Sequence, residues 1–348
     1  MNKQEAKETV AILKALLGIT EVAKILNTFI PAFEKGIAKE DGRTYLHGNF
    51  NVTGTASGRM SSSGPNLQQI PSTGTKYAKL IKHCFQAPEG WIMIGADFSS
   101  LEDRIAALIT KDPNKLKVYT DGYDGHSLRA YNYYSDLMPD IDPSSVESIN
   151  SIDKKYKALR QASKAPTFAL TYQGTWSTLV KNCGLDPDKA KEIEAKYHEL
   201  YSVSDNWVQN KLQEASKTGY VQGAFGLKLR TPILKQCLLN KRSTPKEAQA
   251  EGRTAGNMLG QSYGLLNNRA LIEFMDRVYK SKYKLDIKPI ATVHDSIYTI
   301  CKKDPEVIHW LNINLIECME WQELEDIKHP EVKLGAELEL YFRMFNIL

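Results

Sequence analysis

The sequence predicts an α+β fold in which one sheet is assembled from segments far apart along the chain. Three observations carry that expectation. The run WIMIGADF (91–98) reads as a buried strand ending at an aspartate, IATVHDSIYTI (290–300) sets a His-Asp pair between two strand-like runs, and AELELYF (336–342) supplies a final strand. Helical patterns fill the space between the first and second of these.

In chain order, residues 1–37 carry apolar residues at helical spacing interrupted by Pro31, which predicts one or two amphipathic helices. From Tyr45 to Pro71 the composition turns to Gly, Ser, Thr, Asn and Pro, predicting a long ordered loop or short strands. After the strand at 91–98, Ser99-Ser100-Leu101-Glu102 fits a capping box ahead of a helix. Residues 139–155 read as a polar loop, and a helix opens near Lys157. Two more helices span Pro187–Lys217, and Gly219 and Gly223 punctuate a hairpin. Thr244 as N-cap, Pro245 at the first helical position and Glu247 predict the start of a long helix; another follows over residues 305–320.

A chain of 348 residues with 42% hydrophobic and 25% charged residues has an ordinary globular composition, enough for two or three domains or subdomains. No run of 18 apolar residues occurs and MNKQEAKETV lacks the apolar core of a signal peptide, so the expectation is a cytosolic protein without a membrane partner. Cys84, Cys183, Cys237, Cys301 and Cys318 are scattered, without a C-x-x-C pair, which argues against a zinc or disulfide framework. A net charge of +4 permits a polyanionic partner without requiring one.

Four constellations carry chemistry. Asp97 at a strand end and Asp295 in a strand-strand turn would meet on one sheet edge; two carboxylates that close repel unless a divalent cation sits between them, and the matching chemistry is two-metal phosphoryl transfer. Either aspartate alone reads as a solvated turn residue. Arg160, Lys164, Phe168 and Tyr172 recur every four residues on one helical face, two cations for phosphates and then two rings for a base or sugar, or simply an amphipathic helix with an aromatic end in the core. Glu102 either completes the cap with Ser99 or stands beside Asp97, and its spacing favours the cap. Arg253, Asn257, Gln261 and Asn268 form one stripe of the long helix, with Gly256, Gly260 and Gly264 beside it, suited either to a duplex minor groove or to close helix packing. His126 is a candidate phosphate donor.

The segments TASGRMSSSGPNLQQIP, GADFSSLEDRIAALIT, DGHS, RQASKAPTFALTYQG, RTAGNMLGQS and VHDS, in that order, resemble the successive motifs of the family A DNA polymerases, the class of bacterial DNA polymerase I and several phage replicative enzymes. The resemblance covers about residues 44–300. It implies a right-hand architecture with an antiparallel palm sheet and helical fingers: a thumb remnant at 1–43, palm at 44–110, fingers at 111–235 and the second part of the palm at 236–348. It implies primer extension with dNTPs in a bacterial cytoplasm, with two Mg²⁺ ions on Asp97 and Asp295. Glu102 resembles the gate against a ribose 2′-hydroxyl, which displaces the capping role, and Arg104 matches the motif's basic residue. Arg160 and Lys164 resemble the triphosphate grip, Lys164 also as proton donor to pyrophosphate; His126 resembles a further triphosphate donor, Phe168 the residue on the incoming nucleotide and Tyr172 the one near the template base. Arg59, Asn66, Gln68, Arg253, Asn257 and Gln261 resemble primer-template contacts, and His294 a contact to the primer end.

The sequence departs from the family pattern in four places. Ser296 replaces the glutamate usual after His-Asp. Pro166 lies inside the fingers helix, where it is expected to kink the axis and disturb the register of Phe168 and Tyr172. Gln173 stands where glycine is common. About 45 residues precede the first motif, which creates the expectation that a second polypeptide supplies thumb and 3′–5′ exonuclease. Two other readings compete: a single-subunit RNA polymerase-like enzyme, disfavoured by Glu102 and the motif around Arg59, and a decayed primer-template binding subunit, favoured only by Ser296 and the short N-terminus.

Overall fold

A computed structural model describes residues 3–52, 54–71, 76–237 and 244–341. Its centre is a four-stranded antiparallel sheet in the order Ala336–Tyr341, Trp91–Phe98, Ser296–Lys302, Ile287–Val293. Trp91–Phe98 is an inner strand covered on both faces, which is why its sequence is an unbroken apolar run: Ile92, Met93, Ile94, Ala96 and Phe98 are all buried. Ile287–Val293 is an edge strand, and its Pro289 sits where the pairing register shifts, so the missing N–H disturbs the ladder little.

One sheet face packs against helices Leu265–Lys280 and Pro305–Met319 through Ile94, Phe98, Ile297, Phe274, Leu311 and Leu315, joined by Ile105 and Leu108 of helix Leu101–Thr110. A second core, built around Tyr133, Ile149, Leu170, Ile193 and Tyr201, holds together helices Gly125–Tyr134, Lys157–Thr171, Trp176–Cys183 and Pro187–Leu200. A third joins helix Ser202–Thr218 and helix Lys246–Gln261 to the hairpin Tyr220–Gln222 and Lys228–Arg230.

Several local expectations change. The Ser99 capping box does not form: the residue before helix Leu101–Thr110 is Ser100, left-handed at φ 55° and without a side-chain cap bond. The polar stretch 139–155 contains two short helices, Val146–Asn150 and Ile152–Lys155, because Ile149 and Ile152 reach the second core. The helix expected from Thr244 begins at Lys246 with Pro245 as its cap residue and no side-chain cap bond. It is also two helices, Lys246–Gln261 and Leu265–Lys280, separated by a 3-10 turn at Ser262–Gly264. The buried Ser262 hydroxyl donates to the Leu259 carbonyl and accepts from the Ala224 N–H, holding that turn against the hairpin. At the N-terminus, Lys3–Lys24 is helical as expected, but Val10, Ile12, Leu13, Leu16, Leu17 and Ile19 are exposed. Helix Lys157–Thr171 runs through Pro166 as one element.

The sheet and the helical body are joined by a charged contact. Arg129 of helix Gly125–Tyr134 donates to both oxygens of Asp103, at 2.6 and 2.7 Å, and through Nε to the Tyr201 hydroxyl at 3.0 Å. Tyr119 donates to the same carboxylate, and the buried Lys115 lies over the Tyr201 ring. Burial alone would push the Asp103 carboxyl up; the charges of Arg129 and Lys115, with the hydrogen bonds, overcome it and hold the group at about 2.

Because the folded-state value lies below the ordinary 3.8, the stabilisation from Asp103 is complete above that value and is lost as pH falls toward 2. Urea unfolding from pH 6 down to 2 is expected to show an Asp103→Asn deficit that is largest near neutral pH and shrinks below about pH 4. A deficit independent of pH would show that the ion pair contributes nothing of its own.

Candidate active site

The two candidate metal-binding aspartates meet through strand pairing. Asp97 faces Ser296 in register, and Val293 pairs with Ser296, so His294 and Asp295 form a two-residue hairpin turn. His294 takes the left-handed conformation at φ 57°, as a tight hairpin demands. The Ser296 hydroxyl donates to Asp97 Oδ1 at 2.6 Å. Burial first, and the charge of Asp97 second, raise the Asp295 carboxyl above its usual range, with the more distant Arg59 pulling the other way. These are two repelling carboxylates with little compensation from the protein, so the donor set fits an oxygen-seeking divalent cation. Among the described residues no three Asp, Glu, His or Cys side chains gather as a metal cluster, consistent with a serine at position 296.

Glu102 lies next to this pair. Its side chain accepts from Arg59 Nη2 at 2.5 Å and from the Tyr172 hydroxyl, so it links the loop before the sheet to the end of helix Lys157–Thr171. This is incompatible with a capping role. Arg104 turns away from the carboxylates, donating to the Ser99 and Lys333 carbonyls.

An open cleft of about 1080 Å³ runs from Tyr172 along the helical body. Lys164, Phe168 and Tyr172 line it from one helix face, His126 from a second helix and Arg253 and Asn257 from a third. The row survives Pro166: the Thr167 and Thr171 hydroxyls donate back to the Ser163 and Thr167 carbonyls, and the register stays helical. Phe168 is 63% exposed, lines the cleft and tilts against Tyr172 with ring centres 4.8 Å apart. His126 is held below its usual range, by burial first and by neighbouring cations second, and its Nδ1 is buried without a partner among the described residues. Arg160 does not line the cleft; Asp124 and Asp153 engage it instead.

The expected DNA-contact residues fall in two groups. Arg253 and Asn257 border the cleft, while Gln261 lies with Glu102, Tyr172 and Asn257 around a smaller cavity. Arg59, Gln68 and His294 line a separate small pocket together with Asn268, which the break at Ser262–Gly264 places on the following helix. Asn66 caps the short turn Leu67–Gln69 through its Oδ1, which accepts from the Gln68 N–H. The glycine stripe also divides. A side chain on Gly264 would meet Arg59 at 3.0 Å and one on Gly256 would meet Val208 at 3.4 Å, whereas Gly260 faces open space.

Asn267 escaped sequence reasoning. Fully buried, it extends Nδ2 toward the carbonyls of His294 and Ser296, at 3.4 and 3.5 Å, the two neighbours of Asp295 in the chain. Its signal was an amide at a core position of an amphipathic helix.

The sheet thus brings Asp97 and Asp295 to one end, and the helix bearing Lys164, Phe168 and Tyr172 is joined to it through Glu102. Comparison with known proteins gives the class. The chain belongs to DNA polymerase family A, whose sequence profile matches residues 2–340. It is 28% identical over 299 residues to the thermostable DNA polymerase I of Thermus thermophilus, covering 86% of this chain and 33% of that protein. With the thermostable DNA polymerase I of Thermus filiformis it shares 31% identity over 223 residues, 64% of this chain and 25% of that one. The chain thus spans a quarter to a third of these curated relatives. The fold matches the POL domain of Pol1 from M. smegmatis, solved in complex with DNA primer-template and dNTP, with a TM-score of 0.76 at 22% identity, covering 95% of this chain and 53% of that one.

At the end of helix Lys157–Thr171, the Gln173 N–H donates to the Leu170 carbonyl and the Gly174 N–H to the Ala169 carbonyl, a helix stop that places Gln173 at φ 62°. A side chain there is strained by about 1 kcal/mol. Gln173→Gly is therefore expected to raise stability by roughly that amount in urea unfolding. Destabilisation by the glycine would refute the strain.

Proposed function

We propose that the chain is a template-directed DNA polymerase core, adding dNTPs to a primer 3′-hydroxyl by nucleotidyl transfer. The sheet and its two helices act as palm, the helical body from residue 111 to 235 as fingers. The observation that carries the proposal is the pair Asp97 and Asp295, brought to one end of the sheet by the pairing of their strands. Tyr172 joins the two regions: it lines the cleft, binds Glu102 and feels the Asp295 charge.

In this reading Asp97 and Asp295 hold two Mg²⁺ ions, which supply charge neutralisation and activation of the attacking oxygen when bound. The chain's own groups position the reactants. Lys164, His126 and Arg160 receive the triphosphate, and Lys164 delivers a proton to departing pyrophosphate. The exposed Phe168 ring packs on the incoming base or sugar, and Tyr172 ends that row near the template base. Glu102, fixed by Arg59 and Tyr172, stands where a ribose 2′-hydroxyl would collide with a carboxylate already committed to two donors. Arg59, Asn66, Gln68, Arg253, Asn257 and Gln261 contact primer-template, whose minor-groove acceptors are nearly the same for every correct pair, and His294 meets the primer end.

Primer extension with purified chain, Mg²⁺ and either dNTPs or NTPs tests this directly. Extension is expected with dNTPs, reduced at least about a hundred-fold by Asp97→Asn or Asp295→Asn with the circular dichroism spectrum unchanged. Extension by either variant at the unaltered rate would remove those aspartates from catalysis. Equal use of NTPs would favour an RNA polymerase, and no extension with tight primer-template binding a non-catalytic subunit. Glu102→Ala is expected to raise NTP use about ten-fold; unchanged sugar selection would dispose of the gate.

A further inference from the structure

Asp124 is the most heavily engaged carboxylate near the cleft, and no role assigned above accounts for it. It caps helix Gly125–Tyr134, accepting from the His126 and Ser127 N–H groups and, at 2.5 Å, from the Ser127 hydroxyl. The same two oxygens accept from Arg160: Nε to Oδ2 at 2.6 Å and Nη2 to Oδ1 at 3.1 Å. Its backbone is fixed as well, the Asp124 N–H donating to Asn150 Oδ1 at 2.7 Å while Asn150 Nδ2 donates to the Gly122 carbonyl. A second stitch ties the same two helices, the Ser163 hydroxyl lying 3.4 Å from the His126 carbonyl.

The pairing is one-sided on the guanidinium. Nε and Nη2 serve Asp124, and Asp153 lies 3.4 Å from Nε, while Nη1 has no hydrogen-bond partner among the described residues. Side-on binding by a planar carboxylate fixes the whole fork, so the free edge has one direction. Arg160 is 20% and Asp124 27% exposed at the side chain, sheltered enough for such a bond to persist. Burial would raise the Asp124 carboxyl, but hydrogen bonds from Arg160 and Ser127 hold it at about 2, so it is ionised throughout the working pH range.

We propose that Asp124 is a positioning residue for triphosphate binding, one carboxylate that sets both His126, by capping its helix, and the orientation of Arg160 on the neighbouring helix. This rests on the reading of Arg160 and His126 as triphosphate donors. With the ion pair formed, Arg160 meets its ligand already oriented, and the ordering cost is met in folding instead of at each binding event.

The test is steady-state single-nucleotide insertion by the full chain with Asp124→Asn, Arg160→Ala and the double variant. Asparagine caps helices as well as aspartate, so Asp124→Asn keeps the helix start and removes the charge that orients the fork. The expected result is a KM for dNTP raised about ten-fold with kcat changed less than about two-fold, and no further rise in KM when Asp124→Asn is added to Arg160→Ala. Ser127→Ala, which removes the hydroxyl bond to Asp124 but leaves both backbone cap bonds and the ion pair, is expected to keep the wild-type KM. A KM unchanged by Asp124→Asn, while Arg160→Ala raises it, overturns the proposal alone. A lowered KM also overturns it, because Asp124 would then be withholding Arg160. An unchanged KM in Arg160→Ala removes the underlying assignment of Arg160. Should Asp124→Asn lose its native circular dichroism, Asp124→Glu, which keeps the charge but lengthens the arm, is read the same way.

Discussion

The pairing of strand Trp91–Phe98 with strand Ser296–Lys302 is the constraint on which the rest of the site depends. It brings together carboxylates about two hundred residues apart in sequence, at the end of an inner strand where side-chain direction is set by register. A slip of one residue would turn Asp97 to the opposite face. The buried run from Ile92 to Phe98 opposes that slip, because it would move the large side chains that fill the main core onto the opposite face, which is packed around Met93, Tyr298 and Tyr341. Register, and with it the meeting of the aspartates, is thus enforced by hydrophobic burial. The carboxylates themselves oppose it, as the raised Asp295 shows.

Cations around this acidic centre are mostly committed to carboxylates. Arg59 is bound to Glu102, Arg129 to Asp103 and Arg160 to Asp124. The Arg129–Asp103 pair holds the helical body against the sheet, the Arg160–Asp124 pair joins two helices within that body, and the Arg59–Glu102 pair ties the loop before the sheet to the helix after its first strand. Lys164 differs, facing the cleft without a recorded carboxylate partner among the described residues. An ammonium without a carboxylate partner suits the role proposed for Lys164, reaching a phosphate and delivering a proton.

Much of this was legible in the sequence, for identifiable reasons. Strand 91–98, the His-Asp turn and the row from Lys164 to Tyr172 carry their own periodicity, and local patterns with strong periodicity survive folding. The row even outlasted Pro166, whose effect on register was overestimated. Glu102 misled because its local spacing suits a cap, whereas its partners Arg59 and Tyr172 lie far away along the chain. The break at Ser262–Gly264 was hidden for a related reason: it depends on Ser262 bonding to Ala224 and on Arg59 lying against Gly264. Asp124 and Asn267 were invisible because a capping residue and a buried amide show their second partners only in three dimensions.

The central claim is that burial forces Asp97 and Asp295 into a shared cation site. Thermal unfolding of the wild-type chain and of Asp295→Asn across a Mg²⁺ titration, without nucleotide or DNA, measures this without depending on turnover. The account predicts a saturable rise in Tm for the wild type that is absent from the variant. Equal Mg²⁺ dependence of the two proteins would contradict it.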